Sequence, residues 1–451
     1  MTAAPAALGA PPAARAMPPG PRSAAATGAR WIRNPVDLLE ACRTRYGDTF
    51  TLAFPGAGEN VFVSDPATIK EIFARDRRGN GMPSSRDLLL KPVMGPNSVL
   101  LLEGDAHMRI RKLMLPPFHG ERMRAYTEAI EAATERELSG WRAGEELALH
   151  ASMQAITLEV ILTAVFGVSE GERRDELRRR LVSILEAGQS GKAQVFGLAL
   201  MRLGARGPYR AFERRLTQAD AILLGEIAER REDPALAERE DILSMLVAAR
   251  FEDGTEMTDA EIRDQLMTLL LAGHETTATS LAWAFDLLFR DPGRFGRLRE
   301  ELAAGDEDYL GAVCNETLRV RPVIPAVGRR LAEPLRVGDY EVPAGKFVNA
   351  CIYLIHTRGD VYPEPYAFRP ERFLGAAPET YSWIPFGGGT RRCIGAAFAG
   401  LEMRTVLRTI LSRVRLEPAT EAPEPVARRN ITLSPKHGTP AIVRERLGAP
   451  I

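Results

Sequence analysis

The feature that most restricts the fold is a helical pattern that runs from about Asp105 to Phe289. Three shorter helical stretches precede a long one, and they cover Glu121–Trp141, 155–162 and Tyr209–Arg230. The long stretch is Asp259–Phe289, and much of it is apolar, which is typical of a helix buried in the centre of a domain. The sequence therefore predicts a mainly helical fold with a long central helix.

A small β-region is predicted on either side of the helical part. Asp48–Phe54 alternates in the manner of a strand and Asn60–Val63 returns after a glycine turn, so we expect a hairpin. Residues 335–346 again have strand and turn composition. Residues 358–395 are dense in Pro and Gly and predict a long irregular segment. Such a segment inside a compact domain is usually functional.

Composition excludes several classes of protein. The 451 residues include 59 basic and 59 acidic side chains, so overall charge provides no reason to bind nucleic acid or an anionic membrane. No apolar run reaches the roughly 18 residues that a membrane-spanning helix needs. The four cysteines are far apart and form no CxxC motif, which argues against a disulfide scaffold or a structural zinc site.

The N-terminal residues 1–28 are rich in Ala and Pro, and prolines interrupt their apolar stretches. They predict a disordered tail and no signal peptide, so we expect a cytoplasmic protein whose ordered part begins near Trp31. The length allows two or three domains. Because no repeat or composition shift marks a boundary, residues 29–451 are predicted to form a single domain.

The most informative segment is Phe386–Gly395, which reads FGGGTRRCIG. Three glycines before Cys393 let the backbone turn tightly and approach a bulky group. The helical pattern that follows, Ala396–Ile410, places the sulfur near a helix N-terminus, where a thiolate is favoured over a thiol. On the residues alone, Cys393 is either a nucleophile or a metal ligand.

This segment resembles the FxxGxRxCxG haem-binding signature of the cytochrome P450 superfamily and matches it at every fixed position. The resemblance implies that Cys393 is the thiolate ligand of haem iron and that amides around Gly387 to Gly395 donate hydrogen bonds to its sulfur. It further implies that Phe386 packs near the thiolate and that Arg391 binds a haem propionate.

A second segment, Ala272-Gly273-His274-Glu275-Thr276-Thr277, lies within the predicted central helix and is similar to the AGxET oxygen-binding motif of that family. Taken alone it is weak, because a helical threonine often donates only to the carbonyl four residues back. The resemblance implies that Gly273 permits a local opening of the helix for dioxygen. It also implies that Thr276 hydrogen-bonds the iron–oxygen unit and that Glu275 connects this unit to a proton supply.

Glu316 and Arg319 form an ExxR pair on one side of a predicted helix. Such a pair is ordinarily a surface ion pair worth about 0.2–0.5 kcal/mol. Here the pair precedes Arg372 in a PERF segment, and the resemblance implies that the three residues form a buried structural triad.

Further propionate ligands are implied at His107 and Arg111, where many family members have WxxxR, and at Arg329, with Arg330 as an alternative one residue away. We assign no role to the other histidines, which are His119, His150, His274, His356 and His437.

Taken together, the resemblance covers about residues 31–445 and implies a single haem domain of the soluble bacterial type that binds heme b, iron protoporphyrin IX. The implied reaction inserts one atom of O2 into an apolar organic substrate, by hydroxylation or epoxidation. Two alternatives stay open: a haem-thiolate enzyme that uses peroxide or catalyses a rearrangement or coupling, and a haem-binding sensor or carrier without turnover. The Glu275–Thr276 pair favours dioxygen.

Electrons are expected from separate partners, a ferredoxin and its reductase, because neither GxGxxG nor GxxxxGK[ST] occurs in the sequence. Arg109, Lys112 and Arg392 are predicted to contribute to a basic docking face for the ferredoxin. We expect a monomer. Apolar segments predict a hydrophobic substrate pocket without identifying the substrate, and its candidate walls are Leu88–Met94, Gln194–Leu200, Leu269–Ala272, Val323–Val327 and Ile431–Leu433.

Overall fold

The structure is a computed structural model that describes residues 17–78, 81, 85–120, 122–168, 171–189, 207–375 and 379–447. The helices in these ranges are α1 Ala24–Arg33, α2 Pro35–Tyr46, α3 Pro66–Ala74, α4 Ser85–Met94, α5 Gly104–Met114, α6 Arg122–Ser139, α7 Leu149–Val160, α8 Glu172–Gln189, α9 Gly207–Glu232, α10 Ile242–Ala248, α11 Asp259–Phe289, α12 Pro292–Ala303, α13 Asp308–Val320, α14 Ile352–His356 and α15 Ala396–Arg413. The strands are β1 Thr49–Phe54, β2 Gly58–Val63, β3 Glu146–Ala148, β4 Val327–Arg330, β5 Leu335–Val337, β6 Tyr340–Val342, β7 Phe347–Ala350, β8 Val414–Pro418, β9 Val426–Arg429, β10 Thr432–Pro435 and β11 Pro440–Arg446.

Helix α11 forms the centre of the molecule and has the predicted bounds. It begins at a capping box, in which the Thr258 hydroxyl accepts from the Glu261 amide and the Glu261 carboxylate accepts from the Thr258 amide. Most of its residues are buried, and they pack in the largest hydrophobic cluster, together with residues of α7, α13 and α15. The prediction of a mainly helical fold with a long central helix is confirmed. None of the described helices combines the length and apolar composition needed to span a bilayer.

The largest sheet has four strands in the order β1-β2-β7-β4. Its antiparallel β1–β2 hairpin is the predicted one, with Thr49 opposite Val63. Strand β7 pairs parallel with β2 and antiparallel with β4. A second sheet has the order β3-β11-β8, and two hairpins, β5–β6 and β9–β10, complete the β-structure of the described ranges. The four-stranded sheet therefore places β4, which carries Arg329, at the edge opposite β1, with β7 between it and the N-terminal hairpin.

The ordered chain begins earlier than the sequence predicts. Residues 1–16 of the predicted tail lie outside the described residues, but helix α1 begins at Ala24, within the segment expected to be disordered. The backbone before α1 is bonded to β1, because Thr51 donates its amide to Pro19 O and its hydroxyl to Pro18 O. These contacts depend on a strand about thirty residues away, so Ala and Pro composition did not reveal them.

The three residues of the predicted triad lie together, with Glu316 and Arg319 in the core and Arg372 partly exposed at its edge. Glu316 and Arg319 are both fully buried on α13, and the Arg319 Nε and Nη2 atoms donate to the Glu316 carboxylate over 2.7 and 2.6 Å. Arg319 also donates to the carbonyl oxygens of His356, Pro365 and Ala367. Arg372 Nε lies 3.5 Å from Glu316 Oε1. The pair therefore ties the irregular 358–395 segment to the helical core.

We predict that Glu316→Ala lowers the free energy of unfolding by about 3–5 kcal/mol, because Arg319 would be left as a buried charge without its partner. The control is Glu59→Ala, which removes an exposed ion pair to Lys346 and is expected to cost less than about 1 kcal/mol. Urea unfolding followed by circular dichroism measures both. Equal losses in the two variants would contradict the structural role of Glu316.

Candidate functional site

The glycines before Cys393 seat its loop on the end of α3. Gly387 and Gly389 have φ of +67° and +68°, a region that favours glycine. A Cβ on Gly389 would lie 2.1 Å from Asp76 Oδ2, and one on Gly388 would lie 2.4 Å from Phe73 Cδ2. Glycine is therefore required by contacts within the protein, in addition to the close approach to a bulky group that the sequence predicts.

The Cys393 side chain is accessible to solvent, although protein atoms crowd around it. Its backbone amide donates to Phe386 O over 3.0 Å, which closes the loop. Burial raises the pKa of the Cys393 thiol, while the Gly395 amide and the charges of Arg111 and Arg392 lower it only in part. The amide at the start of α15 therefore favours the thiolate, as the sequence predicts, and burial opposes it. A bound metal ion would favour the thiolate further.

Four predicted side chains gather beside the loop. His107 is buried on α5, and burial together with the charges of Arg391, Arg111 and Arg329 lowers its pKa to about 4, so it is neutral at pH 7. Arg111 Nη2 donates to Arg392 O and Arg391 Nη2 donates to Leu102 O, each over 2.6 Å. The concentration of guanidinium groups suits a ligand with more than one carboxylate.

Arg329, and not Arg330, faces this group. Neighbouring residues of a strand point to opposite faces, and on β4 the Arg329 side chain is buried whereas Arg330 is exposed and lies 3.7 Å from Glu103. The charge of Arg329 is also among those that lower the pKa of His107. The structure thus distinguishes between the two candidates that the sequence left open.

Asp76 is a residue of this site that the sequence analysis missed. It lies in the 3₁₀ turn Arg75–Arg78 that follows α3, and its carboxylate accepts from Arg329 Nε over 2.7 Å. It also accepts from the Thr390 amide over 3.1 Å, and Arg329 Nη2 donates to Gly388 O over 3.0 Å. Asp76 therefore joins α3, β4 and the cysteine loop. No sequence pattern marks it, because its partners are about 250 and 310 residues away.

One face of α11 is open although the helix is central. Ala272 is exposed and Gly273 and Thr276 are partly exposed, whereas most of the helix is buried. The Thr276 hydroxyl donates to Ala272 O over 2.6 Å, the local bond expected of a helical threonine. The helix continues without a break through Gly273, so the local opening implied for this glycine is not seen. The open face offers space to a ligand along 272–276.

Glu275 points toward α7. Its Oε2 accepts from Gln154 Nε2 over 2.6 Å, and its Oε1 accepts from Thr279 Oγ1 over 3.4 Å. Burial raises the pKa of Glu275, and the bonds from Gln154 and Thr279 and the charge of Arg429 oppose this. In this conformation, the carboxylate and the Thr276 hydroxyl have separate partners.

Comparisons with known proteins agree on one family. The sequence model described as Cytochrome P450 matches residues 18–440. The chain belongs to the cytochrome P450 family. Two putative P450s of Mycobacterium tuberculosis are similar to it: cytochrome P450 135B1, 41% identical over 95% of this chain and 91% of the relative, and cytochrome P450 137, 40% identical over 97% and 91%.

Two solved P450 structures share the fold. Retinoic acid-bound cyanobacterial CYP120A1 has a TM-score of 0.82 at 23% identity and covers 96% of this chain and 100% of its own. The haem domain of cytochrome P450DA has a TM-score of 0.83 at 21% identity and covers 96% and 99%. P450s bind haem and are generally monooxygenases. The donor set described above fits haem, because it combines one accessible thiol with arginines suited to two propionates.

The P450 residues predicted to dock a ferredoxin are partly neutralised. Arg109 lies 3.1 Å from Asp253, and Lys112 lies 2.6 Å from Glu252. Both acids belong to the turn between α10 and α11. Arg392 is exposed and has no ion-pair partner within 4.0 Å among the residues that the structure describes. Of the three predicted docking cations, Arg392 is thus the one that keeps its charge uncompensated.

The predicted pocket walls are only partly described. Residues 194–200 lie outside the described residues, as do the side chains of 88 and 89. Within the described walls, Leu269 and Leu271 are partly exposed on α11, and Ile431 is 58% exposed at the tip of the β9–β10 hairpin. A single exposed apolar side chain is common on protein surfaces, so Ile431 does not by itself mark a pocket.

We predict that Gly389→Ala lowers the free energy of unfolding by about 2 kcal/mol or more, because alanine is strained at φ +68° and its Cβ would overlap Asp76. The control is Gly311→Ala on α13, where no atom lies within 4 Å of the added Cβ. It is expected to gain about 0.5–1 kcal/mol. Urea unfolding of both variants is the measurement, and a Gly389→Ala protein as stable as the wild type would refute the proposed contact.

Proposed function

We propose that this P450 is a haem-thiolate monooxygenase that inserts one atom of O2 into an apolar organic substrate, by hydroxylation or epoxidation, with electrons from separate redox partners. The observation that carries the proposal is the accessible Cys393 thiol beside a group of guanidinium side chains. When bound, heme b would supply the activation of dioxygen, helped by electron donation from the thiolate.

The residues that would hold the haem are those around the cysteine loop. Cys393 would ligate the iron, and the Gly395 amide, which lowers the pKa of the thiol, would donate to its sulfur. Arg111, Arg329 and Arg391 would bind the propionates as charge-assisted donors. His107 is neutral and would donate one N–H without adding charge.

Helix α11 would supply the distal side. Thr276 would present its hydroxyl on the open face of the helix, where it now donates to Ala272 O. Glu275 would accept a proton at its carboxylate and pass it on, because it is a mostly buried acid whose pKa burial raises toward the working range of a proton donor. The partly exposed apolar residues of α11 and Ile431 would exclude water and bind an apolar substrate.

The first test is the absorption spectrum. The carbon monoxide complex of the reduced protein should show the strongly red-shifted Soret band of thiolate ligation, and Cys393→His should lose it, because imidazole donates less electron density than thiolate. Cys42→Ala is the control, since Cys42 is buried between α2 and the sheet and should leave the band unchanged. A wild-type spectrum without this band would contradict the proposed function.

Two further outcomes separate the alternatives. Product formation in the presence of dioxygen, NADPH and a surrogate ferredoxin pair distinguishes an enzyme from a haem-binding sensor. Turnover with peroxide alone, and none with dioxygen, would favour the peroxide-dependent alternative. A screen of haem spin state against apolar compounds supplies the substrate for both assays.

For the redox partner, we propose a ferredoxin that docks beside Arg392. With an acidic [2Fe–2S] ferredoxin at low salt, Arg392→Glu should raise KM by about two- to fivefold, the factor for about 0.5–1 kcal/mol. Lys112→Glu should raise it less, because Glu252 already offsets the charge of Lys112. Steady-state reduction kinetics measure both, and an unchanged KM in Arg392→Glu would place the docking face elsewhere.

A further inference from the structure

Three side chains beyond the proposed catalytic pair connect Glu275 to the β9–β10 hairpin. Arg429 Nη1, on β9, lies 3.4 Å from His150 Nδ1 on α7. His150 Nε2 lies 3.1 Å from Thr279 Oγ1, and Thr279 Oγ1 lies 3.4 Å from Glu275 Oε1. Elements far apart in sequence thus meet at one carboxylate, and neither Arg429, His150 nor Thr279 has a role in the function proposed above.

The chemistry of Arg429 determines the direction of each hydrogen bond in the series that runs from Arg429 to Glu275. An arginine only donates, so His150 Nδ1 must accept from Arg429. His150 is neutral, because burial and the charge of Arg429 lower its pKa to about 3, and its one proton is therefore on Nε2. The Nε2–H group then donates to Thr279 Oγ1, and the Thr279 hydroxyl proton is directed at Glu275 Oε1.

The groups around Glu275 make its carboxylate the final acceptor in this series of hydrogen bonds. Its second oxygen accepts from Gln154 on α7. The charged or titratable groups that face it are Arg429 and His150, 3.6 Å from Oε1, with His274 adjacent on α11. Of these, the histidines are neutral at pH 7, since burial lowers the pKa of His274 to about 4. Arg429 is therefore the one of these three groups that carries a positive charge facing Glu275 at pH 7.

We propose that Arg429, His150 and Thr279 are positioning residues for Glu275, which hold its carboxylate on the α7 side of α11 as a hydrogen-bond acceptor. The proposal rests on the proposed function, because it concerns the acid that supplies protons there. In each catalytic cycle, Glu275 takes up one proton from water and releases one toward Thr276. The hydrogen-bonded residues Arg429, His150 and Thr279 neither lose nor gain a proton.

A consequence follows for the ionisation of Glu275. Hydrogen bonds donated to a carboxylate stabilise its charged form, so the chain opposes the effect of burial. Without the Thr279 hydroxyl, the carboxylate would protonate at higher pH and would be free to turn away from α7. A merely structural role in packing would alter stability and leave this ionisation unchanged.

The experiment follows the carboxylic acid C=O stretch of Glu275 by infrared difference spectroscopy of the haem-loaded, full-length protein across pH. The band is assigned by its absence in Glu275→Gln. In Thr279→Val, which keeps the shape and removes the donor, the pH midpoint of the band should rise by about one unit, a tenfold change in proton affinity. Thr279→Ser should restore the wild-type midpoint.

The matched control is Thr157→Val on α7. Its hydroxyl donates to the backbone carbonyls of His274 and Gln154, near the same helix contact, and not to the Glu275 carboxylate. Its midpoint should be that of the wild type. A midpoint unchanged in Thr279→Val, or shifted equally in Thr157→Val, would overturn the proposal.

Arg429→Met provides a second route if Thr279→Val fails to fold. It should raise the midpoint as well, because it removes both the charge and the donor that fixes the His150 tautomer. An unchanged midpoint would again overturn the proposal. Failure of the proposed function is distinguishable, because it appears in the wild-type carbon monoxide spectrum, whereas failure of this inference appears only in the variants.

Discussion

The buried ion pair of Glu316 and Arg319 is the interaction on which the site depends. It is fully enclosed, and isolated charges in such a place would be very unfavourable, so both must find partners at short range. Arg319 finds them in the carbonyl of His356, at the end of α14, and in those of Pro365 and Ala367 in the irregular chain before the cysteine loop. A segment with little secondary structure of its own thereby acquires a defined path.

A second electrostatic contact fixes the loop itself. Asp76 accepts from Arg329 and from the Thr390 amide, so a single carboxylate orients a guanidinium group and a glycine-rich backbone. Burial and the charges of Arg391, Arg111 and Arg329 lower the pKa of His107, while burial raises that of Cys393. A neutral imidazole, an accessible thiol and several arginines are together suited to a metal-bearing ligand with carboxylates.

Helix α11 has different chemistry on neighbouring sides. Its open face carries Ala272 and Thr276, while Glu275 turns to α7 and its donors. Because adjacent helical residues differ by about 100° in direction, two successive side chains serve different sides of the helix. A proton donor beside a hydroxyl in sequence is therefore held apart from it in space, and movement of the Glu275 side chain would connect the two.

The sequence by itself determined the helical class, the bounds of α11, the β1–β2 hairpin and the P450 family. These follow from periodicity, caps and fixed motif spacing, which are local along the chain. It also predicted that Glu316, Arg319 and Arg372 lie together, because their motifs occur in the order typical of the family.

Only the tertiary structure decided which arginine of β4 faces the site, where Asp76 binds, and that the chain is already bonded to β1 at Pro18 and Pro19. It also decided that Glu275 faces His150 and Gln154, and that protein atoms crowd around the Cys393 thiol and raise its pKa. Each of these depends on side chains or backbone from distant parts of the sequence that meet at short range. Burial and hydrogen-bond partners arise only from that packing, so periodicity and motif spacing do not encode them.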